Sequence, residues 1–205
     1  MAIKAIIFDI GEVLIQEEAS LARDILAKKY KFDSLKFKEY TKKNIAFSRK
    51  GQLPYLKYFK GLIEENSLKA TPKQMSEDWK KARAKTSYWI KDNKKILEKL
   101  NKKYLTISFT NSTKLNDTIK IRKDSYKLFK INLISHKLNT RKPEKEFYTI
   151  LLKKLKQKDI KPEESIFIED REENIIPAKE LGINTILYSK ETNLKKELSK
   201  FGVEF

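Results

Sequence analysis

Cysteine is absent from this 205-residue chain, and histidine occurs once, as His136. Without thiols there is no disulfide framework, no thiolate nucleophile and no cysteine-built zinc centre. A lone histidine at the end of a short apolar run reads as a packing or surface residue rather than a catalyst. No stretch approaches the ~20 apolar residues of a membrane span. The opening run Ala5-Ile6-Ile7-Phe8 is short, is preceded by Lys4 and ends in a carboxylate, which is unlike a secretory leader. These absences predict a cytoplasmic protein with no membrane partner. Arginine is scarce as well. Of 46 basic residues only six are arginine, against 28 acidic residues, so the formal charge of +18 is almost wholly a lysine excess. The lysines run along the whole chain, from Lys28-Lys29 to Lys195-Lys196. A phosphate-gripping surface would be expected to use more of the forked guanidinium. The excess therefore reads as a solvated surface whose field favours encounter with anions. Nucleic-acid binding by counterion release is left possible but not favoured.

The length allows one α/β core and a smaller insertion. The first strand runs roughly from Ile3 to Phe8. The stretch from about Gln16 to Trp89 carries helical apolar spacing with no convincing strand, and Thr71-Pro72 reads as an N-cap with proline at the first helical position. From Lys91 onward helix and strand alternate. Helices are expected near 92–103, 114–122, 143–156, 174–181 and 193–200, and strands near 104–109, 131–135, 165–168 and 184–187. That alternation implies right-handed crossovers and a parallel sheet covered on both faces, a Rossmann-like three-layer core. The expected division is 1–15 with 90–205 for the core and 16–89 for a helical cap. Trp79, Tyr88 and Trp89 read as cap-to-core packing.

Asp9 is the most informative residue. It ends the first apolar strand and opens the loop Ile10-Gly11-Glu12-Val13-Leu14, so it delivers a carboxylate to a strand's carboxyl end, where α/β proteins keep their chemistry. Three later segments do the same in kind: Thr110-Asn111, Arg141-Lys142-Pro143 and Glu169-Asp170. They supply hydroxyl and amide donors, a cation and an acidic pair. The set suits Mg²⁺-assisted phosphoryl transfer through a covalent aspartyl-phosphate.

These segments, in this order and with the helical insertion after the first of them, resemble the haloacid dehalogenase-like hydrolase superfamily. The resemblance covers essentially the whole chain, with the insertion in the place of a C1-type cap and the sugar-phosphate phosphatase branch the nearest in flavour. It implies Asp9 as nucleophile, with Thr110 and Lys142 completing the catalytic group. Asp9, the Gly11 carbonyl, Glu169 and Asp170 would hold Mg²⁺. Gly11, Glu12, Asn111 and, from the cap, Arg49 are the candidate substrate contacts, and Asn174 holds the acidic loop or a metal-bound water, or else caps the following helix.

Gly11 departs from the pattern the resemblance implies. Phosphatases of this superfamily usually carry a second aspartate there, which protonates the leaving oxygen and then activates water. General acid–base help is worth typically ~10²–10⁴-fold. The expected activity is thus hydrolysis of a small phosphorylated metabolite, a sugar or nucleoside phosphate, biased toward good leaving groups. The alternatives are a 2-haloacid dehalogenase, whose halide needs no proton, and a degraded binding protein or nucleic-acid-end phosphatase using the basic surface.

Overall fold

The computed structural model describes residues 2–205. In chain order it contains β1 (Ala5–Phe8), β2 (Ile15–Glu17), α1 (Ala19–Tyr30), α2 (Ser34–Arg49), α3 (Tyr55–Glu65), α4 (Pro72–Lys85) and β3 (Ser87–Trp89). Then come α5 (Lys91–Lys103), β4 (Leu105–Thr110), α6 (Lys120–Tyr126), β5 (Ile131–Ile134), α7 (Ser135–Leu138) and α8 (Lys145–Lys156). The last elements are β6 (Ser165–Glu169), α9 (Glu172–Glu180), β7 (Asn184–Leu187) and α10 (Leu194–Ser199). Five strands form a parallel sheet in the order β5-β4-β1-β6-β7, the Rossmann-like α/β core expected from the alternation.

Strand periodicity explains why β1 sits at the centre. All four of its side chains are fully buried, because both faces of the sheet are covered. Ile6 and Phe8 point to one face, with their register partners Ile166 and Ile168, against Leu97 and Leu100 of α5 and Leu194 and Leu198 of α10. Ala5 and Ile7 point to the other, with Ile107 and Phe167, against Phe147 and Leu151 of α8 and Ile175 of α9.

The helices α1 to α4 bury their own cluster, centred on Leu26, Phe37, Phe59, Leu62 and Met75, and Leu115 joins it from the loop after β4. Thr71 accepts a hydrogen bond from the Gln74 N–H, and Pro72 opens α4, as the sequence suggests. The insertion is not free of strands, however. β2 and β3 pair antiparallel at its two ends, with Ile15 opposite Trp89 and Glu17 opposite Ser87. Each is only three residues long, too short for an alternating pattern to register in the sequence. The aromatic residues also divide. Trp79 packs within the helices, 5.3 Å from Phe37 between ring centroids, and Trp89 lies against the core. Tyr88 is exposed rather than packed. Among the described residues no helix is long and apolar enough to cross a membrane.

Candidate active site

Three adjacent strands end at the same level. The Asp9 N–H donates to the Ile168 carbonyl at 2.9 Å, which fixes the residue directly after β1 beside the end of β6. Thr110 and Glu169 are the last residues of the flanking strands. This is the carboxyl edge, next to the point where the chain changes sides of the sheet. Lys142 enters from the segment before α8 and is buried to 1% exposure. Its Nζ lies 2.5 Å from Glu169 Oε2 and 3.1 Å from Asp9 Oδ1. The rings of Phe109 and Phe167 flank the ammonium, with centroids at 5.5 and 5.3 Å.

Asn111 has a task that its residue type does not announce. Its Oδ1 accepts the Lys142 backbone N–H and its Nδ2 donates to the Lys142 carbonyl, both at 2.9 Å. The amide thus fixes the backbone of the buried lysine. The side chains of Asp9, Glu169 and Asp170 each offer an oxygen, and the three lie within 4.8 Å of one another. Burial, opposed by Lys142 and reinforced by Asp9, pushes the Glu169 carboxyl up to about 8. Burial likewise raises Asp170. Burial works against the charge on Lys142, but Asp9 and Glu169 outweigh it and hold the ammonium above its ordinary value. Three carboxyl groups crowded together, two of them held toward their protonated forms, are hard oxygen donors that fit a cation such as Mg²⁺ in place of the proton.

The loop after Asp9 turns its other side chains elsewhere. Glu12 adopts a positive φ of 58°, and its carboxylate accepts from the Glu17 N–H and from Gln16, so it caps its own loop and does not reach over Asp9. His136 is the second residue of α7 and pairs with Asp117 at 2.7 Å. Asp117 also accepts from Ser112 and Tyr126, a structural network. Asn174 is buried in α9, with its Oδ1 lacking a partner.

Sequence reasoning misses a second charged group beside the first. Glu17, at the end of β2, is held between Arg83 of α4 at 2.8 Å and Arg122 of α6 at 2.9 Å. Burial opposes its charge, yet the two guanidinium groups keep it below the usual carboxylate range. Arg122 Nη1 in turn donates to Thr110 Oγ1 at 3.4 Å. A Cβ placed on Gly11 would lie 3.3 Å from Arg122 Nη2, 3.5 Å from Glu17 Oε2 and 4.0 Å from Asp9 Oδ2. The space beside Gly11 is therefore taken by this pair. Arg49 is close enough to Asp9, Glu17, Arg141 and Arg171 to feel all four charges; burial and the two arginines lower its affinity for its proton. The signal available in the sequence was scarcity: three of the six arginines line the adjoining cavity and a fourth, Arg122, holds Glu17, while the forty lysines are spread along the chain.

Comparison with known proteins agrees with this fold. A crystal structure of the HAD family enzyme BT-2542 from Bacteroides thetaiotaomicron superposes with a TM-score of 0.80 at 22% identity, covering 97% of this chain and 99% of that one. The same enzyme in complex with magnesium and inorganic phosphate gives 0.79 at 21%, covering 96% and 99%. The L-2-haloacid dehalogenase PA0810 gives 0.64 at 16%, covering 94% and 89%. No curated protein matches the chain. The model of the haloacid dehalogenase-like hydrolases matches residues 6–188, and the chain belongs to that family of enzymes.

Proposed function

We propose that this protein is a Mg²⁺-dependent phosphomonoester hydrolase acting on a small phosphorylated metabolite, with Asp9 as the nucleophile. The observation that carries the reading is the cluster of Asp9, Glu169 and Asp170 with Lys142 buried against two of its members. A hydrolase that displaces halide needs no such concentration of oxygen donors, which favours phosphoryl transfer over dehalogenation. The magnesium and phosphate bound by BT-2542 lend the same support.

Asp9, Glu169 and Asp170, with the Gly11 carbonyl, would hold the ion, which when bound offsets the repulsion between carboxylate and phosphate. A carboxylate oxygen of Asp9 attacks phosphorus, the bond to the leaving oxygen breaks, and the leaving group departs with the electron pair. Lys142 carries positive charge against Asp9 and the transferring group. Water then attacks the phosphorus of the aspartyl-phosphate, which releases phosphate and restores Asp9. With glycine at position 11 no carboxyl protonates the leaving oxygen, so the substrates of choice are those whose leaving group is stable as an anion. Residues 16–89 serve as the cap and 1–15 with 90–205 as the catalytic core in this reading. Nucleic acid is not favoured, because half of the arginines line the cavity and Arg122 is buried against Glu17, which leaves the outer surface largely to lysine.

The test is hydrolysis of para-nitrophenyl phosphate and acetyl phosphate with Mg²⁺ and with EDTA. Turnover should require the metal and vanish in Asp9→Asn, with the far-ultraviolet circular dichroism unchanged. Full activity in that variant would sink the assignment, and halide release from a 2-haloacid in the presence of EDTA would establish dehalogenation instead.

A further inference from the structure

A cavity of about 630 Å³ lies between the four inserted helices and the core, within the size range of small-molecule sites. Glu17 forms part of its wall, so it adjoins the catalytic edge described above. Its lining is partly aromatic, with Tyr58, Phe59 and Trp79. Two lining residues carry polar atoms that the protein leaves unmatched. Arg83 is 3% exposed; one guanidinium nitrogen binds Glu17, and Nη1 has no partner. Ser48 is 7% exposed, and its Oγ has no partner either. Buried donors without acceptors are rare and costly, and a pair lining one cavity calls for an acceptor from outside the chain.

The charge around the cavity has one sign. Arg23, Arg49, Arg83, Lys114 and Lys137 line it, and the one carboxylate among them, Glu17, is already bridged by Arg83 and Arg122. Arg49 makes no ion pair among the described residues. Half of the chain's arginines line this cavity against two of its forty lysines, so the forked cation is concentrated where a planar or tetrahedral oxyanion could be gripped by two bonds.

Building on the hydrolase reading, we infer that the cavity is a subsite for a second oxyanion on the substrate, held by Arg83 and Ser48 with Arg49 at the side nearer Asp9. The substrate class is a phosphomonoester that carries a carboxylate or a second phosphate on a compact apolar or aromatic body. The transferred phosphoryl group sits at Asp9, the body lies along Tyr58 and Trp79, and the distal anion meets the unmatched donors.

Binding separates this inference from the catalytic assignment. The measurement uses full-length Asp9→Asn protein in EDTA, with Trp79 fluorescence as readout and Trp89→Phe in the background. The probes are phenyl phosphate, 4-carboxyphenyl phosphate and 1,4-phenylene bisphosphate. At least one probe with a second anion should bind about tenfold or more tighter than phenyl phosphate, the scale of one good charge-assisted contact. Which of the two binds better identifies carboxylate or phosphate. Ser48→Ala should reduce the advantage by several-fold, and Arg83→Met should abolish it, with Arg83→Lys retaining part. Since Arg83→Met also releases Glu17, circular dichroism is recorded alongside, and Ser48→Ala and Arg49→Met carry the test if that variant unfolds. Equal binding of all three probes, no binding of any, or an advantage untouched by these substitutions would overturn the subsite. Such a result with metal-dependent turnover of phenyl phosphate intact in the wild type would leave the hydrolase reading standing. A probe preference with no turnover would do the reverse.

Discussion

Arg122 Nη2 stands 3.3 Å from the point that a Cβ on Gly11 would occupy, and the same guanidinium holds Glu17. Glycine at this position thus leaves the room that an ion pair drawn from β2 and α6 occupies. A contact of that length obliges the neighbour to give way, and this neighbour is buried and bonded on three sides.

Supplying an aspartate at position 11 should therefore fail to supply a general acid. In Gly11→Asp the new carboxylate would lie against Arg122, and a nearby guanidinium holds a carboxyl in its charged form. It would have no proton to donate near neutrality. The ratio of para-nitrophenyl phosphate to alkyl phosphate turnover should stay within about threefold of wild type, far short of the ~10²–10⁴-fold that a working general acid supplies. Recovery of alkyl phosphate turnover by about a hundredfold would show that the space and the proton are both available.

The acidic cluster should give metal binding a pH dependence of definite sign. Glu169, pushed up by burial from an ordinary value near 4.5 to about 8, holds a proton in the folded protein that it lacks in the unfolded chain between those limits. Its contribution to stability is whole below about pH 4.5 and is lost as pH rises toward 8. A divalent cation competes with that proton. The affinity for Mg²⁺, followed as the upward shift of Tm with added metal, should rise from pH 5 to pH 8. Glu169→Gln should weaken binding and flatten that rise. A Tm that does not respond to Mg²⁺ at any pH would contradict the metal assignment.

The sheet and the placing of Asp9, Thr110, Glu169 and Asp170 at its carboxyl edge were legible because each depends on local signals, whereas Lys142 comes from a loop and was marked only by its place in the order of segments. An apolar run gives the strand, and a polar residue at its end gives the position. The parallel topology then brings three strand ends together with no further information. Glu17, Arg83 and Arg122 were not legible, because they come from β2, α4 and α6 and meet only in the folded chain. β2 and β3 escaped notice for a related reason: a three-residue strand has too few positions to show a period. Asn111 illustrates a third limit. Its residue type suggested an amide free for phosphoryl oxygens, yet its bonds to Lys142 depend on a partner 31 positions away.

That bond pair yields a prediction that separates two roles for Asn111. The backbone of Lys142 is pinned at both its N–H and its C=O by one amide, and the ammonium at the end of that residue must stay between Asp9 and Glu169. Displacement of a catalytic group by about 1 Å can cost on the order of 10²-fold in rate. Asn111→Ala should therefore lower kcat on para-nitrophenyl phosphate by roughly 10- to 100-fold, with KM within about twofold, the pattern of an interaction that matters only in the transition state. Asn111→Asp keeps an acceptor for the Lys142 N–H but removes the donor to its carbonyl and adds a charge near the cluster, so it should be no better than the alanine. A loss confined to KM, with kcat preserved, would mean that the amide meets the substrate directly and that Lys142 is held in place without it.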